Sequence, residues 1–169
     1  MSIVARYRRL PLEEFDRLRA DPTLAREYLH DQTEAAWELP RDANIGKTWH
    51  GLHVLLTGHP EYDNKGRVPP ARWNVVQGGT PTDWEATYGM VRSLSVEEVG
   101  RVASALLATR EAELRRRYDP EAFNAARIYP HGAEWDAEDL ELLLGALTVV
   151  RNFFLQAALE GEVALLSLD

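Results

Sequence analysis

The chain has 169 residues, 45% hydrophobic and 27% charged, a composition that supports a folded core of ordinary size and excludes a disordered or fibrous chain. Asp and Glu number 27 against 19 Lys and Arg, and the resulting charge of −8 repels phosphate backbones and anionic lipid, so nucleic acid and membrane are not expected partners. Cysteine is absent, which removes disulfides, thiolate zinc sites and cysteine nucleophiles and fits a reducing, cytoplasmic setting.

The N-terminal run Met1-Ser2-Ile3-Val4-Ala5-Arg6 lacks the basic start and apolar stretch of a signal peptide. Ile3–Leu10 alternates, with Ile3, Ala5 and Tyr7 on one side and Val4, Arg6 and Arg8 on the other, and predicts a strand. Pro11 opens a short helix carrying Leu12, Phe15 and Leu18, which stops before Asp21-Pro22. A second helix is expected from Thr23 to Leu39, and a third from Lys47 to Thr57 with Gly58 as its stop. His59 to Trp84 then holds Pro60, Pro69, Pro70 and Pro81 with Gly66, Gly78 and Gly79, which predicts a long irregular excursion. Only Trp73–Gln77 within it reads as a strand, followed by a tight turn at Gly78-Gly79.

Tyr88–Leu94 predicts another strand. Ser95-Val96-Glu97-Glu98 is a capping box that starts a helix lasting to Arg117, where three arginines complement the negative end of the helix dipole. Asp119-Pro120 opens a short helix, and Asp136 caps the longest apolar one, which Gly161 ends. Glu162–Leu168 is a continuous apolar run of the kind buried in the middle of a sheet. Helices separate the strands almost throughout, so the expected fold is α/β, a single mixed sheet with helices packed on it. No repeat or linker composition marks a boundary, and residues 1–169 read as one domain.

Trp49-His50-Gly51-Leu52-His53-Val54-Leu55-Leu56-Thr57-Gly58 resembles the W-x-x-L-H-x-x-L-T-G signature of the YfbM-like proteins, a bacterial family built on a domain of unknown function. Arg92–Val99, Tyr118-Asp119-Pro120, Ile128-Tyr129-Pro130 and Trp135 resemble that family's later landmarks, in the same order, so the likeness covers essentially the whole chain. Gly46 departs from the pattern, standing where an aspartate helix cap is expected. The resemblance implies a three-layer α/β/α arrangement and brings no activity, cofactor or catalytic residue.

His50 and His53 share one helix at i, i+3, within reach of a common ion. The zincin spacing H-E-x-x-H is missing, however, and His53 falls on the apolar face of Trp49, Leu52 and Leu56. The expected role is a core histidine donating to a backbone carbonyl, with no metal. Glu134, Asp136, Glu138, Asp139 and Glu141 gather at one helix start, where acids complement the dipole. Neither a phosphate loop nor a nucleophile elbow is present, and no cofactor is expected.

Five tryptophans, Trp37, Trp49, Trp73, Trp84 and Trp135, supply large rings for core or contact. Trp49 belongs to the core face by periodicity, whereas Trp73 and Trp84 lie among prolines and acids and are candidates for a contact with another protein. Two functions stay open. One is an acidic protein-binding module of the inhibitor or immunity type, with Trp49, Trp73 and Trp84 as candidate contacts. The other is an enzyme whose pocket gathers His53, Arg92 and Tyr129.

Overall fold

The computed structural model describes residues 2–30, 41–62 and 70–169, with residues 27–30 described by backbone alone. Five strands, β1 (Ala5–Leu10), β2 (Asp42–Gly46), β3 (Thr80–Glu85), β4 (Met90–Leu94) and β5 (Val163–Leu168), form one sheet in the order β2-β1-β5-β4-β3. β5 is central and buried on both faces, as its apolar run, interrupted by Ser167 alone, requires. The α/β architecture stands as expected. Within it, each pairing among the described residues is antiparallel, where a mixed sheet was anticipated, because β5 returns against both β1 and β4.

The alternation of each strand divides the core in two. Ala5, Tyr7, Leu94, Ala164, Leu166 and Leu168 face a thick helical layer. It contains α3 (Trp49–Thr57), α5 (Val96–Ala108), α6 (Glu111–Arg117), α7 (Pro120–Ala125) and α8 (Asp139–Glu160), with a short α4 (Asn74–Gln77). Leu10, Val91, Val163 and Leu165 face the opposite way, onto Phe15 and Leu18 of α1 (Leu12–Ala20) and Ala25 of α2 (Pro22–His30). Among the described residues that second layer consists of α1 and α2, and Trp84, Ala86 and Val96 pack against its core. α8 is long and apolar enough to cross a membrane by length and composition, but its Leu143, Leu147, Val150 and Phe154 are packed into the thick layer's core.

Several elements differ from the sequence reading. The strand expected at Trp73–Gln77 is a 3-10 turn (Ala71–Trp73) running into α4. A strand would send Val75 and Val76 to opposite faces; the helical path buries both, at 0% and 1% exposure. The irregular excursion also contains β3, an edge strand that tolerates Pro81 because only one of its sides is paired among the described residues. Gly46 ends β2 instead of capping α3. Its φ is +57°, the Asn44 side chain takes its N–H at 2.7 Å, and Thr48 stands at the head of the helix.

The helix expected from Ser95 to Arg117 divides at Thr109-Arg110. There the Thr109 hydroxyl donates to Ala105 O (2.7 Å), and Arg151 of α8 donates to the carbonyls of Leu106 and Thr109 (3.3 and 3.2 Å). The capping box at Ser95 and Glu98 forms in both directions. Asp136 receives the N–H groups of Glu138 and Asp139 ahead of α8. The part of the helix expected to run through to Leu39, with Trp37, lies outside the described residues.

Three arginines tie elements together. Arg8 and Asp42 make a two-pronged buried pair, both contacts 2.8 Å, tying β1 to β2, and Arg9 meets Glu162 at 2.6 Å. Arg117 donates to Leu55 O and Leu56 O, so it neutralises the C-terminal end of α3.

Candidate functional site

The signature helix α3 is a fastening device. His50 Nε2 lies 2.7 Å from Pro60 O, His53 Nε2 lies 2.9 Å from Glu61 O, and Trp73 Nε1 donates to Tyr62 O at 3.2 Å. Three ring N–H groups thus hold three successive carbonyls of the chain leaving α3. A carbonyl only accepts, so each histidine carries a proton on Nε2. The other nitrogen of His50 accepts the Tyr129 backbone N–H at 3.0 Å, which fixes that ring as the neutral Nε2–H tautomer.

Trp49 completes the arrangement. Its ring stacks on His50 (centroids 5.1 Å, 13°) and on Tyr129 (5.4 Å, 26°), and its Nε1 donates to Ile3 O at 3.2 Å. The Tyr129 hydroxyl accepts the Ile3 N–H at 2.7 Å. Ile3, at the entry to β1, is held by both of its backbone groups. Gly51 is required in the same helix because a Cβ there would lie 2.5 Å from the Trp135 ring.

Burial governs the titration of both rings. His53 is fully buried and its pKa is lowered to about 4, chiefly by desolvation and against the opposing bond to Glu61. His50 is lowered as well, again by burial first. Three of the four imidazole nitrogens are already engaged. The fourth, His53 Nδ1, is buried with no partner among the described residues, where no group of histidines and carboxylates is arranged to hold a metal ion.

Among the candidates for an enzyme pocket, each is committed to a different stretch of backbone. His53 serves Glu61; Arg92 donates to Gly78 O and Gly79 O (3.0 and 2.7 Å); Tyr129 serves Ile3. Arg92 secures the turn between α4 and β3, where Gly79 has φ +75° and a Cβ would stand 2.2 Å from Ser93 O. Trp73 is half-buried, with His53 edge-on against it at 4.9 Å, and belongs to the clasp.

Trp84 is placed differently. It lies on the edge strand β3, half-buried, with its ring at right angles to Phe15 at 5.9 Å. The two rings line an open cleft of about 470 Å³, together with Arg19, Thr80, Pro81, Thr82, Asp83, Ser93, Ser95 and Glu98. Arg19 lies over the Phe15 ring at 5.6 Å, and Glu98 is occupied by the capping box. Asp83 is exposed and makes no ion pair among the described residues. Sequence reasoning found Trp84 but missed Phe15, whose helical spacing marks it only as a core residue.

Fold and clasp together define a three-layer α/β domain in which a tryptophan–histidine helix fastens the crossover that follows it. The chain belongs to the family described as domain of unknown function (DUF1877), whose model matches residues 1–167. Its structure is similar to the crystal structure of YfbM from Escherichia coli, a protein of unknown function, with a TM-score of 0.72 and 17% identity over 98% of this chain and 99% of that one. At that identity the likeness shows the fold. No curated protein matches the sequence.

Proposed function

We propose that this chain is an acidic, cytoplasmic protein-binding module that holds an exposed segment of a partner in the Trp84 cleft. The observation carrying this reading is the pairing of two aromatic rings, Trp84 and Phe15, on an open 470 Å³ cleft beside the edge strand β3. A half-exposed tryptophan beside a second ring is the usual anatomy of an interface anchor. The exposed Asp83 and Glu85 on β3, in a chain of net charge −8, suit a partner segment with a basic residue beside an apolar anchor. Occupancy of this kind needs no catalytic group, which is the way an inhibitor or immunity-type factor acts. The alternative of a pocket at His53, Arg92 and Tyr129 draws no support from three groups each engaged with backbone.

The test is selection from a displayed peptide library on the immobilised protein. Enriched peptides are expected to carry Lys or Arg next to an aromatic or aliphatic residue. Their affinity should fall more than about tenfold with Trp84→Ala and with Asp83→Lys, while the circular dichroism spectrum is unchanged. Absence of enrichment, or binders indifferent to both substitutions, would overturn the reading.

A further inference from the structure

The clasp on Pro60–Tyr62 has no place for a further proton. Each histidine already gives its one proton to a carbonyl through Nε2, so a second must go to Nδ1. At His50 that atom faces the Tyr129 backbone N–H at 3.0 Å, and a proton there would set donor against donor. At His53 the ring is fully buried, and its Nδ1 meets no acceptor among the described residues. A charged ring is therefore stable only where it reaches water, outside the clasp.

The surroundings do little to favour the charge. The leaving segment brings His59, which lies against Trp73 at 5.6 Å, together with Glu61 and Tyr62. The 3-10 turn brings Arg72, α6 brings Glu113 and Arg117, and the loop after α7 brings Tyr129 and His131. Glu113 is taken by both arginines, at 3.2 and 2.9 Å, and Glu61 is exposed, where water screens it. Burial, and after it the charges of neighbouring histidines, depress both rings. The two sides of the clasp are also unequal. Residues 58–62 are exposed, whereas α3 keeps Leu52, Leu55 and Leu56 in the main core and its last carbonyls on Arg117. Losing the ring bonds frees the segment without opening that core.

We infer that the clasp is an acid-operated latch: protonation of His50 and His53 releases Pro60–Tyr62 from α3 while the sheet stays folded. The closed clasp excludes the proton and the open one accepts it, so opening is driven as pH falls and reverses as pH rises.

Backbone ¹⁵N relaxation and amide exchange of the whole chain, from about pH 7 down to about pH 4, test the latch. The heteronuclear NOE of Glu61 and Tyr62 should fall. Exchange of the Tyr129 N–H, corrected for the intrinsic effect of pH, should speed at least about tenfold. The amides of Leu165 and Leu166, in the middle of the sheet, should keep their protection, and a return to neutral pH should restore the rest. His53→Gln keeps a carbonyl donor that does not titrate in this range, and it should move the opening to lower pH. Loss of protection at Tyr129 and Leu166 at one and the same pH would overturn the latch in favour of unfolding of the whole chain. Unchanged order at Glu61 and Tyr62 down to the pH at which β5 is lost would overturn it too, as would an unshifted opening in folded His53→Gln.

Discussion

Trp73 and Trp84 come from the same proline- and glycine-rich stretch, both half-buried, and they end in different chemistry. Trp73 packs against His53 and His59, and its N–H completes a ladder with His50 and His53 on the carbonyls of Pro60, Glu61 and Tyr62. Trp84 has a single aromatic neighbour among the described residues, Phe15, and looks into an open cleft. The difference follows from the two layers. The thick layer supplies ring donors for Pro60, Glu61 and Tyr62, whose carbonyls make no helix or strand pairing of their own. On the other face Trp84 meets Phe15 of α1 and its ring stays half-buried. Aromatic residues in one irregular stretch are thus sorted by what lies beneath them.

Substitutions at the clasp should be the costly ones. Trp49→Ala removes a ring that is 2% exposed, stacked on two neighbours and bonded to Ile3, and a loss of about 3–5 kcal/mol is expected in urea unfolding. A loss below about 1 kcal/mol would mean that the stack is loose and that the two regions do not differ.

Acid should act on the clasp next. The folded-state pKa of His53 is lowered to about 4, against an ordinary 6.5 in the unfolded chain, so between those values the unfolded state binds the extra proton. Stability is therefore complete above about pH 6.5 and is lost as pH falls towards 4, by about 3 kcal/mol, with His50 adding in the same direction. Melting temperatures measured from pH 7.5 to 4 check this, and a flat profile would contradict it.

Arg92 sits between the two regions, because Gly78 and Gly79 separate Trp73 from Trp84 along the chain. Removing its two charge-assisted bonds by Arg92→Met should cost about 2 kcal/mol. It should also speed amide exchange in β3 more than in α3, which sharpens the contrast between edge and clasp. The smallest effect belongs to the cleft: Trp84→Ala should cost about 1 kcal/mol or less, and a loss of several would make Trp84 part of the core.

Much of this fold is legible in residues that act locally. Ser95 and Glu98, Asp119 with Pro120, Gly58 and Gly161 mark helix ends through bonds or backbone angles that need no tertiary partner. The alternation of β1 and the apolar run of β5 disclose their burial in the same way. β2 is not legible, since Asp-Ala-Asn-Ile-Gly has no alternation and is held by its pairing with β1 and the Arg8–Asp42 bridge. β3 hides behind Pro81, and Val75-Val76 imitates a strand because β-branched residues favour one until both must be buried. His53 was expected to donate to a carbonyl, and it does. Which carbonyl it serves depends on a crossover with no pattern to read, and the cleft depends on Phe15 and Trp84, far apart in sequence, meeting across two elements.

The central claim is that the signature histidines hold backbone and bind nothing else. Long-range ¹H–¹⁵N correlation spectra of the imidazole rings measure it directly. Both His50 and His53 should be neutral Nε2–H tautomers with bare Nδ1, and His53 should remain neutral at pH 5, with one equivalent of zinc leaving both spectra unchanged. An Nδ1–H tautomer at either ring, titration of His53 near 6.5, or a zinc-dependent shift at the Nε2 atoms would contradict the clasp.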